Sequence, residues 1–531
     1  MRRVISILGM ACAIWGWAPA SAQQVEVISE VKHDVSPPLR VMAAEAAPLV
    51  SPQARPLLLT PAQAVPGAAQ ADPVVQENAG AAVATTPGLN ILGLGNGFVG
   101  PNGTFQVQYA PPDTNAAVGA TQVVETVNIS YAVFDKNTGS PTLGPLPINT
   151  IWSGFGGNCA TTNLSDPVVL YDQLANRWVV EIITVSSPYL YCVAVSTTSD
   201  ATGSYNRYAF QETIGLPDYA KVGIWPDAYY LSSRMFTNAI SYAGPRACAL
   251  NRAAMLAGSA ATMQCFQISN TSIDGMLPAS LDGSTPPPAG VPNTYVVQGP
   301  SGSNQLYLFK LHVDFTTPSN SKLAGPLPLA VAAYTPAPSS GGVPQSGTTQ
   351  RLDALGNFLM HRLAYRNFPA ANPPHESLVA THSVIVGSSL TRRVGVRWYE
   401  LRNISTKSPT IFQQGTFSPD TTFRWMGSIA MDKAGDIALG YSASSSSINP
   451  AIRYTGRIPT DAAGTMEAEA TIFQGNGSQS GRRLSRWGDY TSMSVDPSDG
   501  CTMWYANEYI PVTGAFNWST RLFSFKFSAC Q

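Results

Sequence analysis

SDPVVLYDQLANRWVVEI, from Ser165 to Ile182, joins two apolar runs through an Asp-centred turn. The phrase returns as RWMGSIAMDKAGDIALGYS from Arg424 to Ser442 and as RWGDYTSMSVDPSDGCTMWYANEY from Arg486 to Tyr509. A polar pair led by Asp or Trp opens each copy. The unit is strand, turn, strand, and self-similarity at a long period marks a repeat architecture. Four short strands occupy roughly 40 to 60 residues, one blade of a β-propeller. The sequence therefore predicts an all-β fold, a β-propeller of seven four-stranded blades over 90–531, with six as the alternative count.

The opening pairs stand at Pro112-Asp113, Ser165-Asp166, Pro217-Asp218, Leu352-Asp353, Arg424-Trp425 and Trp487-Gly488-Asp489. The long interval from Asp218 to Asp353 carries its own strand pair, Thr294–Val297 and Leu306–Phe315, so a degenerate blade is expected there. Helical periodicity is scarce, and Asn251–Ala261 is the one expected short helix. A propeller must close its ring, and the reading pairs the last strand, Arg521–Phe527, with Thr104–Tyr109.

Residues 1–22 read as a secretory signal peptide: Arg2 and Arg3, an apolar run from Val4 to Trp17, then Ala20-Ser21-Ala22 before the cut. Residues 23–89 are rich in Ala, Pro and Val without either period, and are expected to be a disordered stalk or pro-segment. The six cysteines beyond Cys12 are an even set in an exported chain, which favours disulfides. Local pairing would join Cys159 to Cys192, Cys248 to Cys265 and Cys501 to Cys530. Only 12% of the residues are charged and the net charge is −1, so nothing favours nucleic acid or an anionic membrane as a partner. No apolar stretch after the leader is long enough to span a bilayer. The chain reads as a secreted monomer that needs no cofactor.

Several motifs fail on context. Gly95-Asn96-Gly97-Phe98-Val99-Gly100 matches a dinucleotide fingerprint, but Pro101 and a strand follow where a helix is required. His375-Glu376 opens a zinc-protease pattern, yet Val379 stands where the second His belongs. Asp432–Asp436 and Asp496–Gly500 are Asp–Gly turns, open to structural calcium or to bonding of their own backbone.

Each inner strand of a propeller begins beside the central channel, so the opening residues could converge. Asp166 and Asp489 are the candidate catalytic carboxylates. Asp113, Arg424, Arg486, Trp425, Trp487 and Tyr490 are candidate ligand contacts, with the aromatic faces suited to sugar rings. The alternative is that the polar groups are struts between blades. A second lead is the hairpin carrying His361 and His382, where two imidazoles with Arg362 and Tyr365 could abstract a proton from a uronate.

The segments Pro111–Gly119, Ser153–Thr161, Ser165–Trp178, Arg424–Arg457 and Arg486–Tyr509 resemble a group of secreted bacterial proteins of uncharacterised activity. The turn around Asp496 loosely resembles that of sialidase-type propellers, where it is structural. The resemblance implies export and a propeller, and supplies no catalytic residues. Two functions are expected from this reading. One is an exported hydrolase or lyase acting on polysaccharide at the channel mouth. The other is a non-catalytic propeller binding glycan or protein at the cell envelope.

Overall fold

The computed structural model describes residues 24–43, 53–55, 58, 70–161, 164–388, 390–481 and 484–531. The expected signal segment lies outside them. The described chain is all-β. Its strands run in successive four-stranded antiparallel sets, whose first strands are Asn115–Val118, Leu164–Asp172, Leu216–Ile224, Leu277–Leu281, Leu363–Phe368, Phe423–Met431 and Ser492–Val495. Each first strand packs against the first strand of the next set, and Ser492–Val495 returns to Asn115–Val118. Apolar faces interlock between sets: Ala430, Ala438 and Ile452 of one meet Met493, Met503 and Phe525 of the next.

The last set draws only three strands from its own stretch. Its fourth is Thr85–Gly95, antiparallel to Ser519–Phe527 with Ile91 opposite Leu522. This corrects the expected closure through Thr104–Tyr109. Pro87 and the glycines of TTPGLNILGLG read as linker, but Gly93 is there for close approach: a Cβ would lie 2.5 Å from Glu125 Oε2. Backbone proximity, which leaves no apolar period, carried the signal.

The expected disordered stalk is also corrected in its described part. Glu26–Val35 is a strand lying between Tyr205–Gln211 and Thr262–Gln267, antiparallel to both, and it joins two sets into one sheet. Only Ile28 of this strand is buried. Two backbone ladders hold it, with ion pairs from Arg207 to Asp34 at 2.8 Å and from Arg246 to Glu26 at 2.5 Å. A strand held by its backbone needs no alternation of side chains, so composition misread it.

Other local expectations agree with the structure. Arg252–Ala257 is a short helix; Asn251 caps it by accepting the Ala254 N–H, and Gly258 ends it at φ 68°. The disulfides are Cys159–Cys192, Cys248–Cys265 and Cys501–Cys530. Cys248 and Cys265 face each other across neighbouring strands, and Cys501 ties the last set to the C-terminal segment. Among the described residues no helix is long and apolar enough to cross a membrane.

Candidate functional site

The first strands open on a kink. Asp113, Asp166, Tyr219, Met426 and Asp489 have φ of 52°, 58°, 54°, 54° and 56°, the left-handed region that most residues avoid. Register shifts follow at Ser165/Val168, Asp218/Lys221 and Trp425/Ser428. Such bulges re-aim side chains and leave backbone N–H groups without a ladder partner. Polar side chains of neighbouring strands take up that role. Asp166 Oδ2 accepts the Tyr219 N–H at 2.8 Å, Asn115 Oδ1 the Val169 N–H at 2.9 Å, Ser492 Oγ the Ala116 N–H at 2.7 Å and Ser428 Oγ the Met493 N–H at 2.8 Å. Asp166 is therefore a strut between adjacent sets, as are Asn115, Ser428 and Ser492.

Asp113, Asp166 and Asp489 do converge, as the sequence predicts. Burial pushes the Asp113 carboxyl well above the usual carboxylate range, and the neighbouring charges of Asp489 and Asp166 push it the same way. Burial also lifts Asp489 to about 6, against the pull of Arg486, whose Nη2 donates to its Oδ2 at 2.5 Å. Asp218 rises to about 7 for the same reason, opposed by Arg234. Lys221 Nζ lies over the rings of Tyr219 and Tyr490, 3.7 and 3.9 Å from their centroids. Among the described residues, Asp113 Oδ1, Asp489 Oδ1 and two guanidinium nitrogens of Arg486 are buried without a hydrogen-bond partner. The cluster is closed: Asp113, Asp166 and Asp489 are 1%, 7% and 9% exposed. At this end Arg55 lies over the Tyr109 ring and donates to Leu164 O, while Leu58 O accepts from Arg234.

Of the other candidates, Tyr490 borders this cluster, and the two tryptophans and Arg424 have their partners elsewhere. Trp425 and Trp487 are completely buried, their ring centroids 5.7 Å apart, and present no face to a sugar. The kinks at Met426 and Gly488 turn both indoles into the core, which corrects the stacking role expected of them. Tyr490 is buried too, with its hydroxyl donating to Pro167 O at 3.0 Å. Arg424 is bound to both oxygens of Glu469 at 2.8 Å and to Asp420 at 2.9 Å, so it does not stand beside Arg486.

The expected hairpin cluster is dispersed. Arg362 Nη2 reaches both oxygens of Asp282 at 2.5 Å, and the Tyr365 hydroxyl donates to Glu376 at 2.5 Å. His382 Nε2 lies 2.9 Å from the Tyr399 hydroxyl, and burial lowers its pKa to about 3. His361 belongs elsewhere, near the Tyr490 ring at 5.9 Å. Burial first, then Lys221 and Arg362, hold it well below the usual imidazole range. Neither ring is poised to take up a proton near neutral pH.

An open cavity lies at the opposite ends of the first strands, bordered by the two Asp–Gly turns that the sequence offers for calcium and holding none of the expected glycan contacts. Its volume is about 670 Å³. Turns from several sets line it: Gly283–Thr285, Arg366–Ala371, Lys433–Ala434 and Val495–Gly500. A second cavity of about 30 Å³ shares Gln173, Val495 and Pro497 with it and is also lined by His361 and Arg362. Phe368 is half-buried on its wall, its ring stacked on His375 at 5.0 Å. Arg366 and Phe368 share a strand face, a period-two pair that was the only sequence signal available.

The carboxylates of this cavity are committed. Asp496 Oδ1 accepts the Ser498 N–H at 2.8 Å and Lys136 Nζ at 3.0 Å. Asp499 Oδ1 accepts the N–H groups of Cys501 and Thr502 at 2.9 Å; burial would raise its pKa, but these bonds outweigh it and lower it. The Asp432 turn behaves alike, its Oδ1 accepting from Ala434 and Asp436 at 2.8 and 3.0 Å. These Oδ1 atoms bond their own turns, while Asp432 Oδ2 and both oxygens of Asp436 are buried without a hydrogen-bond partner among the described residues. Among the described residues no group of three or more His, Cys, Asp or Glu is placed to hold a metal.

No protein-family profile matches the chain, and neither does any curated protein sequence. Solved structures align loosely. The WD40 domain of SCAP from fission yeast aligns at 9% identity and a TM-score of 0.35, over 79% of this chain and 97% of that one. An exo-β-1,3-galactanase from Clostridium thermocellum aligns at 9% identity and a TM-score of 0.30, covering 79% and 81%. A polysaccharide lyase, an ulvan lyase, aligns at 10% identity and a TM-score of 0.26, covering 82% and 81%. Superpositions this loose transfer neither an activity nor a site.

Proposed function

We propose that the chain is an exported, monomeric β-propeller of seven blades that binds a hydroxyl-rich glycan in the cavity at the far ends of its first strands, without catalysing a reaction on it. The observation that carries this is the pairing of an accessible cavity with committed carboxylates. A glycosidase needs one carboxyl group that can give up a proton and a second that stays ionised nearby. In the cavity Asp496 and Asp499 are tied to their turns; Asp432 and Asp436, which burial raises, are fully buried in the adjoining turn, and Asp113, Asp218 and Asp489 are buried at the other end. The cavity wall instead offers an aromatic face at Phe368 and hydroxyl groups at Ser284, Thr285 and Ser498, the groups a sugar uses. Cystines and the N-terminal leader motif support export.

A glycan array followed by titration of the best binder tests this. Phe368→Ala should weaken binding about fivefold, the worth of one aromatic contact of ~1 kcal/mol, and no shortened or unsaturated products should appear. Asp166→Asn should leave affinity unchanged in the folded protein. Turnover of the bound glycan would overturn the non-catalytic reading.

One observation favours the enzymatic alternative: Asp489, at about 6, sits near Asp113, which is held well above the usual range. Carboxyls pushed apart in this way suit general acid and base roles. Under that reading Asp489→Asn would cost about two to four powers of ten in rate while the fold survives.

A further inference from the structure

We propose that the open cavity seats an anionic group against Arg366, so that the glycan it takes is acidic, bearing a carboxylate or a sulfate ester. The inference rests on the glycan-binding reading and names the class of glycan.

Arg366 lies two residues before the end of the strand Leu363–Phe368 and is 6% exposed on the cavity wall. Among the described residues only its Nε has an acceptor, the Met431 carbonyl at 2.9 Å. Nη2 is buried without a partner. The charges of Asp282 and Asp432 act on it from a distance, but no carboxylate bonds it, and burying a guanidinium without a directly bonded partner is costly. A structural arginine in such a place ordinarily meets a carboxylate, as Arg362, Arg234 and Arg424 do here.

None of the acids nearby bonds it, Asp432 Oδ2 included, which is buried without a hydrogen-bond partner among the described residues. Both oxygens of Asp282 are taken by Arg362. Asp432 bonds its own turn, and burial with the neighbouring Asp436 charge lifts it to about 7. Asp496 is paired with Lys136. Asp499 bonds the Cys501 and Thr502 N–H groups, with Lys526 at 3.8 Å. Lys433 adds a second positive charge on the wall; it is exposed and forms no ion pair among the described residues.

Glycine 283 makes room for the guanidinium. It adopts φ 83°, and a Cβ there would lie 2.6 Å from Arg366 Nη1. The planar fork of an arginine suits the two oxygens of a carboxylate or sulfate, and in this half-enclosed place the contact is stronger than at an open surface. An adjacent sugar ring would then lie within the same cavity as Phe368.

The test compares three probes of matched length by titration calorimetry: an oligogalacturonide, a sulfated galacto-oligosaccharide and a neutral galacto-oligosaccharide. One or both acidic probes should bind more tightly than the neutral one, and their relative affinities identify the acid. Arg366→Gln should lower acidic affinity by about 10- to 100-fold, a loss set by one charge-assisted pair, and leave the neutral probe unchanged. Lys433→Gln, at an exposed position that leaves the core untouched, should lower acidic affinity severalfold even if Arg366→Gln fails to fold. Equal binding of acidic and neutral probes, or acidic binding insensitive to both variants, would overturn the inference and leave the glycan reading standing. Absence of binding by all three probes, with none found on a wider array, would overturn both.

Discussion

Replacing Arg486 with Met should lower the unfolding free energy by about 3–5 kcal/mol, the cost of leaving a buried charge without its partner. Arg486 is held among Asp489, Asp113, Asp353 and Asp218, whose charges favour its ionised form against burial. Removing it leaves Asp489 in a closed interior with its second oxygen already unpartnered. The protein can relieve part of this by protonating Asp489. The folded pKa, already above the unfolded value, would rise further, so the loss should be smaller at pH 5 than at pH 8. Urea unfolding at both pH values measures it. The double variant Arg486→Met/Asp489→Asn should recover part of the loss, because it removes the stranded charge. A change below about 1 kcal/mol at pH 8, the scale of an exposed pair, would show that the cluster does not hold the first strands together.

Glu125→Gln should abolish a large part of the dependence of stability on pH. Glu125 clasps the closing strand: Oε2 accepts the Leu94 N–H at 2.7 Å, and Oε1 lies 2.6 Å from Thr520 Oγ1. The Thr520 hydroxyl has one proton and also lies 2.7 Å from Leu94 O. When it donates to that carbonyl, it can accept from a protonated Glu125. Burial, the leading cause, lifts this carboxyl to about 7. A folded pKa above the unfolded one means that the folded state binds the extra proton. The contribution is therefore fully present below about pH 4.5 and is lost as pH rises through about 7. The loss by pH 8 is on the order of 3 kcal/mol, at 1.36 kcal/mol per unit. Glutamine presents the protonated pattern at every pH, Nε2 donating to Thr520 and Oε1 accepting from Leu94. Thermal unfolding from pH 4 to 8 should give nearly equal stabilities at pH 4 and a clear advantage for the variant at pH 8. Parallel curves would mean that Glu125 is ionised in the folded state throughout.

What the sequence showed and hid follows from the kind of force involved. Period two and Asp-centred turns are written in side chains, so the repeating strand pairs, the capped helix after Asn251 and the local cystines were legible. Asp113, Asp166 and Asp489 were rightly brought together, since opening positions of successive first strands must meet. Glu26–Val35 and Thr85–Gly95 were not legible, because backbone ladders and close approach at Gly93 hold them. Trp425 and Trp487 misled because position along a strand does not say which way a left-handed kink turns the next side chain. Arg366 was passed over because a lone arginine near a strand end gains meaning only when no neighbouring acid is seen to bond it.

On the proposed reading, ligand enters at the far ends of the first strands while the buried acids at the near ends hold the fold together. The most direct test is a crystal structure with the tightest-binding oligosaccharide from the array. The account expects sugar density between the turns Gly283–Thr285, Arg366–Ala371 and Val495–Gly500, with a ring on Phe368 and an acidic group at Arg366. Density at the other end, against Asp166 and Asp489 with Arg55 displaced, would contradict it.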